Sequence, residues 1–101
     1  MVWDLRGALL KKQEVETARL ADFEFRQRVR GYRLLADELG LEALDLVHAA
    51  AERSDGAILP ELADRSGRPL DQIRALHAES MTKARRQLLE ELGDPAPHRL
   101  A

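Results

Sequence analysis

The chain has no cysteine, which excludes a disulfide framework, a thiolate metal site and a cysteine nucleophile. A reducing compartment fits that composition. Aromatic residues make up only 4%, and no stretch alternates apolar with polar residues for the length of a strand, so strand signals are absent. No apolar run is longer than a few residues, and the opening "MVWDLRGALLKK" lacks a secretory pattern. These features predict a cytoplasmic protein with no membrane insertion. Charge of one sign does not dominate either. The 16 basic and 18 acidic residues leave a formal net charge of −2, with no overall bias toward nucleic acid or anionic lipid.

The side chains of catalysis are scattered in the same way. His48, His77 and His98 are far apart, and no HExxH-like pair occurs. Ser54, Ser66 and Ser80 have no nucleophile-elbow setting, and there is no glycine-rich phosphate loop. Glu90 and Glu91 adjoin at an exposed helix end, where solvated charge is the default. No catalytic constellation, metal site or cofactor is expected, and the chain does not read as an enzyme.

What is abundant is helix-forming residues: Ala, Leu, Glu and Arg dominate. The 101 residues form one domain, large enough for a modest core. Hydrophobic periodicity predicts an all-α, four-helix bundle-like protein with a long first and a long last helix. The first helix is expected over about 9–39, stopped by Gly40, with Ala18, Ala21, Phe25, Val29, Tyr32, Ala36 and Leu39 inward. A short second helix covers about 42–53, with Leu41, Leu44, Val47, His48 and Ala51 inward, and "SDG" at 54–56 breaks it. The third spans about 57–65, with Pro60 in its first turn, where a missing amide costs nothing. "SGRP" then turns the chain into a last helix at about 70–92, with Leu70, Ile73, His77, Met81, Ala84 and Leu88 inward. The domain is thus 1–92, and the polar, proline-containing segment 93–101 is expected to be a disordered tail.

The stretch "FEFRQRVRGYRLLADELGL", residues 23–41, carries four arginines within eight positions, each beside apolar residues. At about 100° per residue, Lys12, Arg19, Arg26, Arg30 and Arg33 fall on one ridge about 60° wide. The inward stripe lies on one side of it, and Leu20, Phe23 and Leu34 form a smaller apolar strip on the other. Such a helix can bury one strip and offer the other to a partner. Alternatively, the ridge is a solvated face and the other helices cover both strips.

"FRQRVRGYRLLADELGL" resembles the zeta inhibitor subunit of bacterial F-type ATP synthases, a four-helix protein of nearly this length. That family's long first helix carries Phe-Lys-x-x-Ala-Arg-Arg-x-Lys-Leu-Leu and closes on Ala-x-x-Leu-Gly-Leu. The matching residues here are Phe25, Arg26, Val29, Arg30, Arg33, Leu34 and Leu35, then Ala36, Leu39, Gly40 and Leu41. "DQIRALHAES" at 71–80 is similar to the start of the family's last helix, and "WDLRG" at 3–7 partly matches its Phe-Asp-Asp-Arg-Glu opening. One turn found in the family before its Leu-Gly-Leu is missing here. The resemblance implies a non-catalytic regulator that binds the catalytic subunits of an ATP synthase and restrains ATP hydrolysis. Its N-terminal segment, with Trp3, Asp4 and Arg6, would be the wedge between subunits. The helical body would anchor it through Phe23, Arg26, Arg30, Arg33 and Leu34.

A second pattern sits at residues 59–79, "LPELADRSGRPLDQIRALHAE", which looks like a helix-turn-helix of the kind that reads promoters in sigma factors. Leu62 and Ala63 would pack the first helix, Gly67 would make the turn, and Ile73 and Leu76 would hold the second. Gln72, Arg74 and His77 would then face DNA, while Asp71 and Glu79 oppose phosphate contact. A helical module that binds some other protein is the third reading.

Overall fold

The computed structural model describes the backbone of residues 5–93 and the side chains of residues 18–93. Four helices follow one another: α1 (Leu5–Leu39), α2 (Ala43–Glu52), α3 (Asp55–Ser66) and α4 (Leu70–Leu92). Among the described residues there is no strand, so the all-α expectation holds. The expected tail lies outside the described residues apart from Gly93. No described helix is long and apolar enough to cross a membrane.

The helix stops follow from glycine. Gly40 takes φ 67°, a left-handed conformation that an L side chain resists. There the Leu41 amide donates to Ala36 O at 2.9 Å and the Gly40 amide to Asp37 O at 3.3 Å, which satisfies the last carbonyls of α1. Gly67, at φ 69°, closes α3 in the same manner, with the Arg68 amide donating to Ala63 O at 3.2 Å. Two boundaries differ from expectation. α1 begins at Leu5 rather than near residue 9, and α3 begins at Asp55 because the Ser54 carbonyl accepts from the Ala57 and Ile58 amides. Pro60 therefore stands in the second turn of α3, not the first. The carbonyl it leaves without an intrahelical donor is that of exposed Gly56, which water can serve.

α4 packs along α1 and onto α3, while α2 packs on α1. Tyr32, Leu35, Ala36, Leu46, Ala50, Ile58, Leu59, Leu62 and Ile73 form the core. The inward face of α4 is the expected one: Ile73, Ala84 and Leu88 are buried, and Leu70, His77 and Met81 are partly so. The chain runs antiparallel in α1 and α4, since Phe23 meets Arg85, Gln27 meets Met81 and Tyr32 meets His77. At Gly31 the two helices lie close enough that a Cβ would collide with the end of the Met81 side chain.

On α1 and α2 the buried faces differ from expectation. Phe23, expected on an outer strip, is 4% exposed, and Phe25, expected in the core, is 52% exposed. Ala18 and Ala21 are also exposed. The two apolar strips of α1 are the flanks of one wide buried face centred near Gly31 and Leu35, since α4 covers one flank and α2 the other. Only the C-terminal half of the expected stripe lies beneath α2, and Phe25 precedes it. On α2 the buried residues are Leu46 and Ala50, with Leu44, His48 and Ala51 outward. The face is turned by about one position from the one that periodicity predicts, because ten residues of mostly Ala and Leu offer several apolar faces.

Candidate functional site

Arg28 is the arginine of the opening stretch that does not belong to the ridge. It projects from the opposite side of α1, into the point where all four helices meet. Its guanidinium donates to the carbonyls of Ala50 and Arg53 at the end of α2, the latter at 2.6 Å, and to Asp55 Oδ1 at 3.0 Å. A cation there suits the carbonyl-rich C-terminus of a helix. Tyr32 OH donates to the same Asp55 oxygen at 2.6 Å, and the Arg28 guanidinium lies 5.4 Å from the Tyr32 ring centre. From α4, His77 tilts against Tyr32 with ring centres 5.2 Å apart. Its Nε2 is buried without a hydrogen-bond partner, 3.9 Å from Asp55 Oδ1.

The titrations of these groups follow from that packing. Burial pushes the Tyr32 hydroxyl well above its ordinary value, and the bond to Asp55 adds to the shift. Burial by itself would raise Asp55, but the hydrogen bonds from Tyr32 and Arg28 outweigh it and hold the carboxyl below the usual range. Burial lowers His77, and the nearby Asp55 charge offsets only part of this. A carboxylate already engaged by an arginine and a tyrosine ties α1, α2 and α3 together, with the His77 ring of α4 against it. This is a structural junction. Sequence periodicity missed Arg28 and Asp55 as a pair, although an arginine on the inward side of an amphipathic helix signals a partner on another helix.

The arginine ridge itself faces out. Arg26 pairs with Asp22 on its own helix at 2.8 Å, and Arg30 reaches across to Glu91 of α4 at 2.6 Å. That bond raises Arg30 and lowers Glu91 from their ordinary values. Arg19 and Arg33 are exposed, and neither forms an ion pair among the described residues. Beside the ridge, α1 and the end of α4 enclose an open groove of about 250 Å³. Phe25, Val29, Leu88 and Leu92 supply its apolar surface, and Arg26, Arg30, Arg33 and Glu91 its charge. Leu92 is 56% exposed, so large apolar area faces solvent on both walls.

The expected partner residues therefore divide. Arg26, Arg30 and Arg33 share one accessible face. Phe23 is withdrawn beneath α4, where Arg85 covers its ring at 5.8 Å, and Leu34 is half-buried beside Leu76 and Ser80. Phe25 and Val29 stand where Phe23 and Leu34 were expected. Trp3 and Asp4 lie outside the described residues, and Arg6 is described by its backbone alone, as the second residue of α1. Of the expected DNA-facing set, Gln72 and Arg74 are exposed, with Arg74 beside Asp71 at 3.8 Å. His77 points inward to Tyr32 instead, because it lies on the α4 face that α1 covers. Among the described residues no three or more potential metal ligands cluster. No family model, curated protein or solved structure matches this chain.

Proposed function

We propose that the chain is a non-catalytic regulatory protein that binds a partner protein through the arginine face of α1. The observation that carries this reading is the joint exposure of Phe25 and Leu92, with half-buried Val29 between them, beside Arg26 and Arg33 in one groove. Apolar area next to arginines is the composition of interface hot spots. The resemblance of residues 25–41 to the zeta inhibitors supplies the partner, the catalytic head of an ATP synthase, and the effect, restraint of ATP hydrolysis. In this reading the groove is the anchor, with Phe25 and Val29 taking the part expected of Phe23 and Leu34. Residues 1–8, with Trp3, Asp4 and Arg6, are the wedge. No cofactor is required.

The test is hydrolysis by the ATP synthase of the same organism. Full-length protein slows it, and deleting residues 1–8 abolishes the inhibition while binding remains measurable. Charge reversal at Arg26, Arg30 and Arg33 loses binding itself. An unchanged hydrolysis rate at saturating protein overturns the reading. DNA binding is the weaker alternative, since His77 is withdrawn and Arg74 stands beside Asp71 at 3.8 Å. A mobility shift at low salt that weakens steeply as salt rises would favour it instead.

A further inference from the structure

The groove also carries information about the shape and charge of what fills it. Phe25 and Val29 are one turn apart on α1, and Leu88 and Leu92 are one turn apart on antiparallel α4. The groove therefore has an apolar ledge on each side, exposed Phe25 with half-buried Val29 on α1 and exposed Leu92 on α4, with buried Leu88 at its floor. This is a seam of the kind in which a further helix packs in a bundle. Along the α1 edge, Arg26 and Arg33 are two turns, or about 10.5 Å, apart. Arg30 stands between them and is already held by Glu91 at 2.6 Å. The charges left to a partner are therefore Arg33, which has no ion pair among the described residues, and Arg26, whose only one is the exposed local pair with Asp22. Arg26, Arg30 and Arg33 also repel one another at helical spacing, and added carboxylates relieve that repulsion.

We infer that the groove accepts an acidic amphipathic helix of a partner protein. Leucine-like anchors at i, i+4 and i+7 on that helix lie between the ledges of α1 and α4. Carboxylates two turns apart along one edge of it meet Arg26 and Arg33. A second copy of this chain fits poorly, because a twofold contact sets the same arginines against each other. An anionic membrane surface is opposed by Glu91 and Asp22 beside the groove and by the net charge of −2. This inference rests on the reading of the arginine face as a partner surface, but not on which protein the partner is.

The experiment uses the full chain and a synthetic helical peptide of about 18 residues, long enough to hold a helix in water. The peptide carries Leu at i, i+4 and i+7, Glu along both edges and Ala elsewhere. Amide chemical-shift mapping is expected to place it at Phe25, Val29, Arg33, Leu88 and Leu92. Replacing its Glu with Lys, or its Leu with Ala, abolishes binding. Arg33→Glu and Phe25→Ala in the protein each weaken it on the order of tenfold or more. Both side chains are exposed, and far-ultraviolet circular dichroism checks that the variants keep their helices. Three results overturn the inference: no binding at millimolar peptide, binding indifferent to Arg33→Glu, or equal binding of the Lys peptide. Self-association in sedimentation that Phe25→Ala abolishes, or binding to phosphatidylserine vesicles in place of the peptide, assigns the groove to another occupant and overturns it as well. The hydrolysis assay is run in parallel. Inhibition without peptide binding rejects the acidic helix alone, and peptide binding without inhibition rejects the ATP synthase reading alone.

Discussion

Replacing Tyr32 with Phe removes one oxygen from the four-helix junction and leaves the ring against His77 and Arg28. Tyr32 is wholly buried, and its hydroxyl donates to Asp55 at 2.6 Å. A hydrogen bond to a charged group contributes about 1.5–3 kcal/mol. Asp55 is about half exposed and keeps its Arg28 partner, so water and arginine make up part of the loss. The expected cost is therefore at the low end, about 1–2 kcal/mol. In a domain of this size that lowers the melting temperature by about 5–15 °C. Thermal and urea unfolding followed by circular dichroism at pH 7 measure it. A double-mutant cycle with Asp55→Asn isolates the pair, and its coupling should exceed about 0.5 kcal/mol. A Tyr32→Phe protein as stable as the parent, or a coupling near zero, refutes the view that this bond ties α1 to the start of α3.

Four further outcomes follow from the same geometry. Stability should fall below about pH 6.5, because the unfolded chain binds a proton at His77 that the folded one resists; Asp55, depressed in the fold, adds a second loss at lower pH, as its carboxyl titrates. Stability should also fall above about pH 10, since Tyr32 ionises more readily once unfolded; Tyr32 is the only tyrosine, so Tyr32→Phe removes its part of that alkaline limb, which urea titrations across pH can read. Phe23→Ala should cost about 3–5 kcal/mol and Phe25→Ala under about 1 kcal/mol, the reverse of the order that helical periodicity suggests; equal costs would contradict the packing of α4 over Phe23. Gly31→Leu should destabilise by about 1–3 kcal/mol through overpacking against Met81, with partial rescue by Met81→Ala in the double variant.

Much of the fold was legible before any coordinates. Helix-forming composition, the absence of strand signals and two glycines placed just past apolar periodic segments determine four helices and where α1 and α3 stop. Gly40 and Gly67 both adopt the left-handed conformation their positions imply. The inward face of α4 is also legible, because Leu70, Ile73, Met81, Ala84 and Leu88 form its longest apolar stripe at helical spacing. The ridge of Arg26, Arg30 and Arg33 is legible for the same geometric reason. Residues at helical spacing must share a side whatever packs nearby.

Tertiary structure decided the rest. Periodicity says which residues of α1 lie together and favours the longer strip with Phe25 for burial, but the path of α4 places Phe23 inside and Phe25 outside. That path depends on Gly31, where the lack of a side chain lets α4 approach, and on the loops that return the chain antiparallel. The same return brings Leu88 and Leu92 beside Phe25 and Val29, so the groove is made by residues about sixty positions apart in sequence and has no local signature. Arg28 and Asp55 meet for a similar reason: the charge of each is evident in the sequence, but only packing decides which helix supplies the partner of the partly buried arginine. Local interactions determine each helix and its faces. Long-range packing determines which faces close on one another, and therefore which arginines hold the fold together and which remain free for a partner.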